Sequence, residues 1–238
     1  MNSPKRLART AGLYYMIVAI FGGFAHIVRV NVYAPGDATT TAENVVANAS
    51  LVRMSFVADL VQATFAIFLV MALHQLLQHV NKAVARAMVI FVVLQVGITC
   101  LNMVHQLGAV VVATENSYAS ALGTDGANAL VLLLLDLQHN GYLVAQIFFG
   151  LWLFPLGLLA YRSGMFPRPL GVNLMLACTA YLVDVPLQFL ASGIADAINP
   201  VVVALVILSE VSMVFYLLIK GIKTVKTSPS EDRDPVAV

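Results

Sequence analysis

Residues 51–77 read LVRMSFVADLVQATFAIFLVMALHQLL. A helix needs about 20 predominantly apolar residues to cross roughly 30 Å of hydrocarbon, and there the backbone must satisfy its own hydrogen bonds, so this run predicts a membrane-spanning helix. Ser55, Asp59 and Gln62 recur within it at steps of four and three, which puts them on one helical face. A carboxylate at such depth is costly unless it faces a protein interior or a wet cavity. One stretch therefore sets the fold class and also the place to look for function, a buried polar centre.

Comparable runs occupy residues 7–30, 83–113, 140–161, 170–191 and 200–221. Together they predict an all-α, polytopic membrane bundle of six transmembrane helices over residues 1–226, followed by a polar tail, 227–238, expected to be disordered. Composition agrees: 60% apolar against 11% charged residues, with a mean hydropathy of +0.88, is more than a soluble domain of 238 residues can solvate. Cytoplasmic segments hold an excess of Lys and Arg. Eleven of the thirteen bases, from Lys5, Arg6 and Arg9 through Lys82, Arg86, Arg162 and Arg168 to the C-terminal group, fall on one side of that topology, so both termini are expected in the cytoplasm. The net charge of +1 conceals this asymmetry and gives no reason to expect nucleic acid.

The first span follows basic residues as a signal peptide would, but its core is longer than a signal h-region and no small-x-small cleavage site follows, so it reads as a retained helix. Cys100 and Cys178 both fall in apolar spans and read as small buried hydrophobes. Between the first two spans, residues 33–37 form a Pro-Gly turn, and Thr40 with Glu43 has the spacing of a capping box that starts a short helix. Residues 123–126 are turn chemistry, and 127–137 read as an outer-face or re-entrant segment that bends near Asn140 and Gly141. Pro155 and Pro186 are candidate helix breaks.

Helical spacing decides which polar groups point inward. The first span carries a seam of small residues, Ala8, Gly12, Ala19 and Gly22, interleaved with Tyr15 and ending at His26 and Arg29. The third presents Gln95, Thr99, Asn102 and Gln106, with His105 beside them; the fourth presents Asp136, His139, Tyr142 and Gln146. The fifth adds Asn173, Tyr181, Asp184 and Gln188, and the sixth Glu210. The candidate ligand-binding set is accordingly His26, Arg29, Asp59, Asn102, His105, Asp136, His139, Tyr142, Asp184, Gln188 and Glu210, expected in an outward-facing cavity with His105, His139, Asp136 and Asp184 converging there. For each there is a blander account. The histidines can tie helices together by hydrogen bonds worth about 1 kcal/mol each, Arg29 and Arg53 can reach lipid phosphates, and Trp152 with Phe148 and Phe149 can pack against lipid.

Residues 136–142 (DLQHNGY), 147–157 (IFFGLWLFPLG) and 161–171 (YRSGMFPRPLG), together with the loop PGDATTTAEN at 35–44, resemble the signature of an uncharacterised bacterial six-span integral membrane family, a domain of unknown function of the 4386 type. The resemblance covers nearly the whole chain. It implies a six-helix fold and an inner-membrane location and carries over no activity.

Three function classes fit this pattern. An outward-open cavity with apolar walls and polar anchors suits a protein that binds membrane lipids or an amphipathic small molecule. The His and Asp set permits a metal-dependent membrane hydrolase, but neither a His-Glu-x-x-His nor a paired-Cys motif occurs, and Asp136 with His139 is the one local chelating pair. A proton-coupled transporter could titrate Asp59, Asp184 or Glu210, although few polar residues line the cytoplasmic half. Nothing in the pattern names a cofactor, a metal or an oligomeric state.

Overall fold

The computed structural model describes residues 3–223; the tail expected to be disordered, 227–238, lies outside them. The described residues are helical almost throughout and contain no strand. Eight α-helices follow in order: α1 (Pro4–Val32), α2 (Ala38–Ala47), α3 (Ala49–Leu77), α4 (Lys82–Thr114), α5 (Asn116–Leu151), α6 (Leu153–Ser163), α7 (Arg168–Leu190) and α8 (Ser192–Phe215), which runs into a π-helical turn over Tyr216–Lys220. Six segments are long and apolar enough to cross a membrane: α1, α3, α4, α5 joined to α6 (Asn116–Ser163), α7, and α8 with its π turn.

Consecutive spans pack side by side. α1 lies on α3, α3 on α4, α4 on α5, α5 and α6 on α7, and α7 on α8, while α8 and the π turn return to α1 and close a ring. Small residues set the closest approaches. A Cβ on Gly12 would stand 2.9 Å from Leu217 Cβ in the π turn, and one on Gly157 would stand 2.6 Å from the Gly171 carbonyl, so α6 and α7 meet backbone to backbone. The ends of the ring are apolar. At the basic end Leu73, Met88, Leu153, Leu156, Leu174 and Met213 are fully buried; at the other, α2 lays Ala42 and Val45 over Val28, Val52, Val110, Val131 and Leu135. Polar side chains occupy the space between.

Local chemistry explains the helix ends, with three corrections to the sequence reading. Ala34 to Asp37 is a turn closed by Asp37 N–H donating to the Ala34 carbonyl at 3.1 Å, with Gly36 at φ 78°. The cap of α2 is Asp37, not Thr40: its carboxylate accepts from Thr40 N–H at 2.9 Å and Thr40 Oγ1 at 2.7 Å, so the helix begins before the proposed capping box. No bend occurs at Asn140 or Gly141. Gly141 is bare because Asn102 fills the space a Cβ would take, while α5 departs from helical angles only at Gly123, φ 73°. The chain turns instead at Trp152, where Pro155 leaves the Leu151 carbonyl without its helical donor. The last span begins at Ser192, leaving Pro200 inside α8 rather than at its start.

The hydrogen bond from the Thr40 side chain, then that from its amide, hold the Asp37 carboxyl below the usual carboxylate range. A depressed folded pKa contributes stability that is complete above the unfolded value, near 4, and is lost as pH falls through the folded one. The protection factor of the Thr40 amide, taken against its intrinsic exchange rate at each pH, is therefore expected to hold at pH 5 and to fall only below pH 4, whereas in Asp37→Ala it should be low at both.

Candidate functional site

All six spans contribute to one interior, which is divided into two adjoining chambers. The inner, of about 170 Å³, is lined from Tyr15 and Gly22 of α1, Asp59 and Gln62 of α3, Gln95 and Thr99 of α4, Tyr142 and Phe149 of α5, Tyr181 of α7 and Glu210 of α8, with Trp152 at the α5–α6 turn. The outer, of about 180 Å³, lies toward the end away from the basic residues, between His26, Tyr33, His139, Gln146, Asp184, Gln188 and Asn199. Arg29 and Tyr142 line both and form the wall between them.

Arg29 shows why the wall stands there. Its position on the small-residue seam turns the side chain inward rather than toward lipid phosphates, and Nη1 pairs with Asp59 Oδ2, a carboxylate only 1% exposed. Its guanidinium also lies 5.2 Å from the centroid of the Tyr142 ring. Ion pair and cation–π contact thus hold one buried cation between an acid and an aromatic face, each strengthened by the absence of bulk water. Tyr142 in turn stacks on His26 at 5.9 Å and contacts Phe149 at 5.6 Å. Arg53, by contrast, is exposed.

The second carboxylate of the inner chamber, Glu210, is half-buried and accepts a hydrogen bond from Tyr15 OH at 3.0 Å. Tyr15 is 1% exposed, and its ring contacts Trp152 at 5.6 Å. Among the described residues Glu210 has no Lys, Arg or His within ion-pair distance; the one salt bridge is Arg29–Asp59. Six buried side-chain atoms have no hydrogen-bond partner among the described residues, and five belong to residues lining the chambers: Asp59 Oδ1, Gln95 Oε1 and Thr99 Oγ1 inside, Gln146 Oε1 and Asp184 Oδ1 outside. Four of the five are carboxylate or amide oxygens, which only accept hydrogen bonds; the Thr99 hydroxyl both donates and accepts.

Eight of the eleven residues singled out from the sequence therefore line a chamber: His26, Arg29, Asp59, His139, Tyr142, Asp184, Gln188 and Glu210. Of the other three, Asn102 and Asp136 bond across to neighbouring elements, while His105 bonds within its own helix, α4. Asn102 donates to the Gln138 carbonyl at 2.7 Å and accepts from His105 Nδ1 at 3.3 Å, joining α4 to α5. Asp136 accepts from Tyr33 OH at 2.5 Å, and burial together with that bond holds the Tyr33 phenol protonated beyond its usual range. The four residues expected to converge thus do so only in part: His139 and Asp184 share the outer chamber, and His105 and Asp136 are engaged elsewhere. Among the described residues no three of His, Cys, Asp and Glu come together as a metal site, and Asp136 with His139 packs against Tyr33 instead. Tyr15, Tyr181, Gln62 and Trp152 line the inner chamber without having been singled out. Tyr15, Gln62 and Tyr181 lay on inward stripes, which was their signal; Trp152 carried none, since an aromatic in an apolar run reads equally well as lipid-facing.

A family model described as a domain of unknown function (DUF4386) matches residues 10–221. An uncharacterized protein of Archaeoglobus fulgidus is 34% identical over 154 residues, which is 64% of this chain and 74% of the relative. No solved structure matches the chain. The chain belongs to the DUF4386 family.

Proposed function

We propose that this DUF4386 protein is a multi-pass protein of the bacterial inner membrane whose chambers face away from the cytoplasm and bind a small amphipathic, lipid-like molecule by its polar end. The five unpartnered oxygens carry this reading. A buried polar atom without a partner costs about 1–3 kcal/mol, and a ligand bearing hydrogen-bond donors would relieve several such costs at once. The chambers are each smaller than the roughly 300 Å³ at which drug-sized sites begin, which fits a headgroup rather than a whole lipid. Two competing classes have less support. A hydrolase of the metal-dependent kind needs clustered donors, and a transporter needs a polar route to both faces, whereas the basic end of the ring is closed by fully buried Leu73, Met88, Leu153 and Leu174.

Native mass spectrometry of protein extracted into a mild detergent tests the binding. An adduct of constant mass is expected on the unmodified chain and should be lost, or reduced at least tenfold in occupancy, in Asp184→Leu, which removes the acceptor. The bare polypeptide mass for both would overturn the proposal. Orientation rests on the one-sided distribution of Lys and Arg. Ser117→Cys, exposed at the start of α5, should react with an impermeant maleimide added to intact cells, and Lys82→Cys, exposed at the start of α4, should react only after lysis. The opposite pattern would invert the topology and the direction in which the chambers face.

A further inference from the structure

We infer that the inner chamber is a site for a small organic ammonium group, held between Glu210 and the rings of Tyr15, Trp152 and Tyr181. The inference rests on the binding reading above and names the chemistry of the ligand's polar end. The protein already shows how this interior holds a cation: Arg29 sits between the Asp59 carboxylate and the Tyr142 ring. Glu210 repeats the acid and the aromatic neighbours in the same chamber, with a Tyr15 hydroxyl as donor and no cationic side chain of the described residues within ion-pair distance. Two carboxylates and one guanidinium line this chamber, so a monovalent cation would balance it when both acids are ionised.

The unpartnered acceptors select among cations. Asp59 Oδ1 and Gln95 Oε1 only accept and call for N–H donors, which an alkylammonium supplies and a quaternary ammonium lacks. Aromatic faces carry partial negative charge that attracts a desolvated ammonium, and an anion gains nothing from them. The same chemistry is offered by a free alkylamine and by the headgroup of an aminophospholipid.

Trp152, the single tryptophan of the chain, is 5% exposed and lines this chamber, so its fluorescence reports occupancy directly. Purified protein in maltoside detergent would be titrated with n-butylammonium, with its neutral counterpart 1-pentanol, and with dihexanoyl phosphatidylethanolamine and dihexanoyl phosphatidylglycerol. A saturable change with butylammonium but not with pentanol is expected, weakened at least tenfold in Glu210→Gln and unaltered in Gln75→Ala at the far end of α3. A response to phosphatidylethanolamine and not to phosphatidylglycerol would identify the lipid headgroup as the source; a response to butylammonium alone would identify a free amine. Equal responses to butylammonium and pentanol would overturn the ammonium assignment and leave the binding reading standing. No response to any probe would overturn the assignment too, while a retained adduct in the mass spectrum would still uphold binding. The contrast between the cation and the alcohol is made on the unmodified chain and does not depend on Glu210→Gln folding.

Discussion

Arg29→Met should lower the unfolding free energy of the detergent-solubilised protein by about 3–5 kcal/mol, the cost of leaving a buried carboxylate without its partner. Asp59 is 1% exposed and one of its oxygens already has no partner among the described residues, so removing Arg29 strands the whole group. The double variant Arg29→Met, Asp59→Leu removes both charges and should recover most of the loss, because neither ion then has to be desolvated. Denaturant-induced unfolding of the three proteins, followed by Trp152 fluorescence, measures the comparison. A double variant as unstable as the single one would mean that Arg29 acts through packing on Tyr142 and not through the ion pair.

The second large effect concerns the seam between α6 and α7. An alanine at Gly157 would bring its Cβ to 2.6 Å from the Gly171 carbonyl oxygen and 2.9 Å from Met175 Cγ, and one at Gly171 would meet the Gly157 carbonyl at 2.6 Å and the Tyr161 backbone nitrogen at 2.9 Å. Backbone cannot rotate aside as a flexible side chain can, so the two helices must part. Each substitution is expected to cost about 3 kcal/mol, at the upper end of overpacking effects. Their double variant should cost less than the sum, since the first alanine already separates the helices. Gly97→Ala, on α4 with nothing within 4 Å of the added Cβ, is the contrast: it should be neutral or stabilise by up to about 1 kcal/mol through helix propensity. Thermal midpoints in detergent distinguish the cases. Equal shifts at Gly97 and Gly157 would indicate that close helix approach is not what the glycines serve.

Different contacts hold the ring together and shape its interior. The α6–α7 seam lies among the buried apolar residues near the basic end, and its glycines permit dispersion contacts that polar groups cannot supply there. The Arg29–Asp59 pair and the Arg29–Tyr142 contact instead stand across the polar space and decide that it is two chambers and not one.

The sequence by itself determined the class of fold and the face of each span that turns inward. Apolar length is a property of a single segment, and a helical period of 3.6 residues fixes relative direction without knowledge of the neighbours, which is why Asp59, Tyr142, Asp184 and Glu210 were all legible as inward residues. Only the tertiary structure decided how those residues pair. Arg29 and Asp59 are 30 positions apart and Tyr15 and Glu210 are 195 apart, and periodicity gives an angle around a helix axis but neither the identity of the facing helix nor the depth at which two side chains meet. The same gap explains Gly141, which reads as a break in isolation and proves to be room for Asn102, and Arg29, whose long side chain could reach lipid phosphate or turn inward until Asp59 and Tyr142 supplied a partner and a surface.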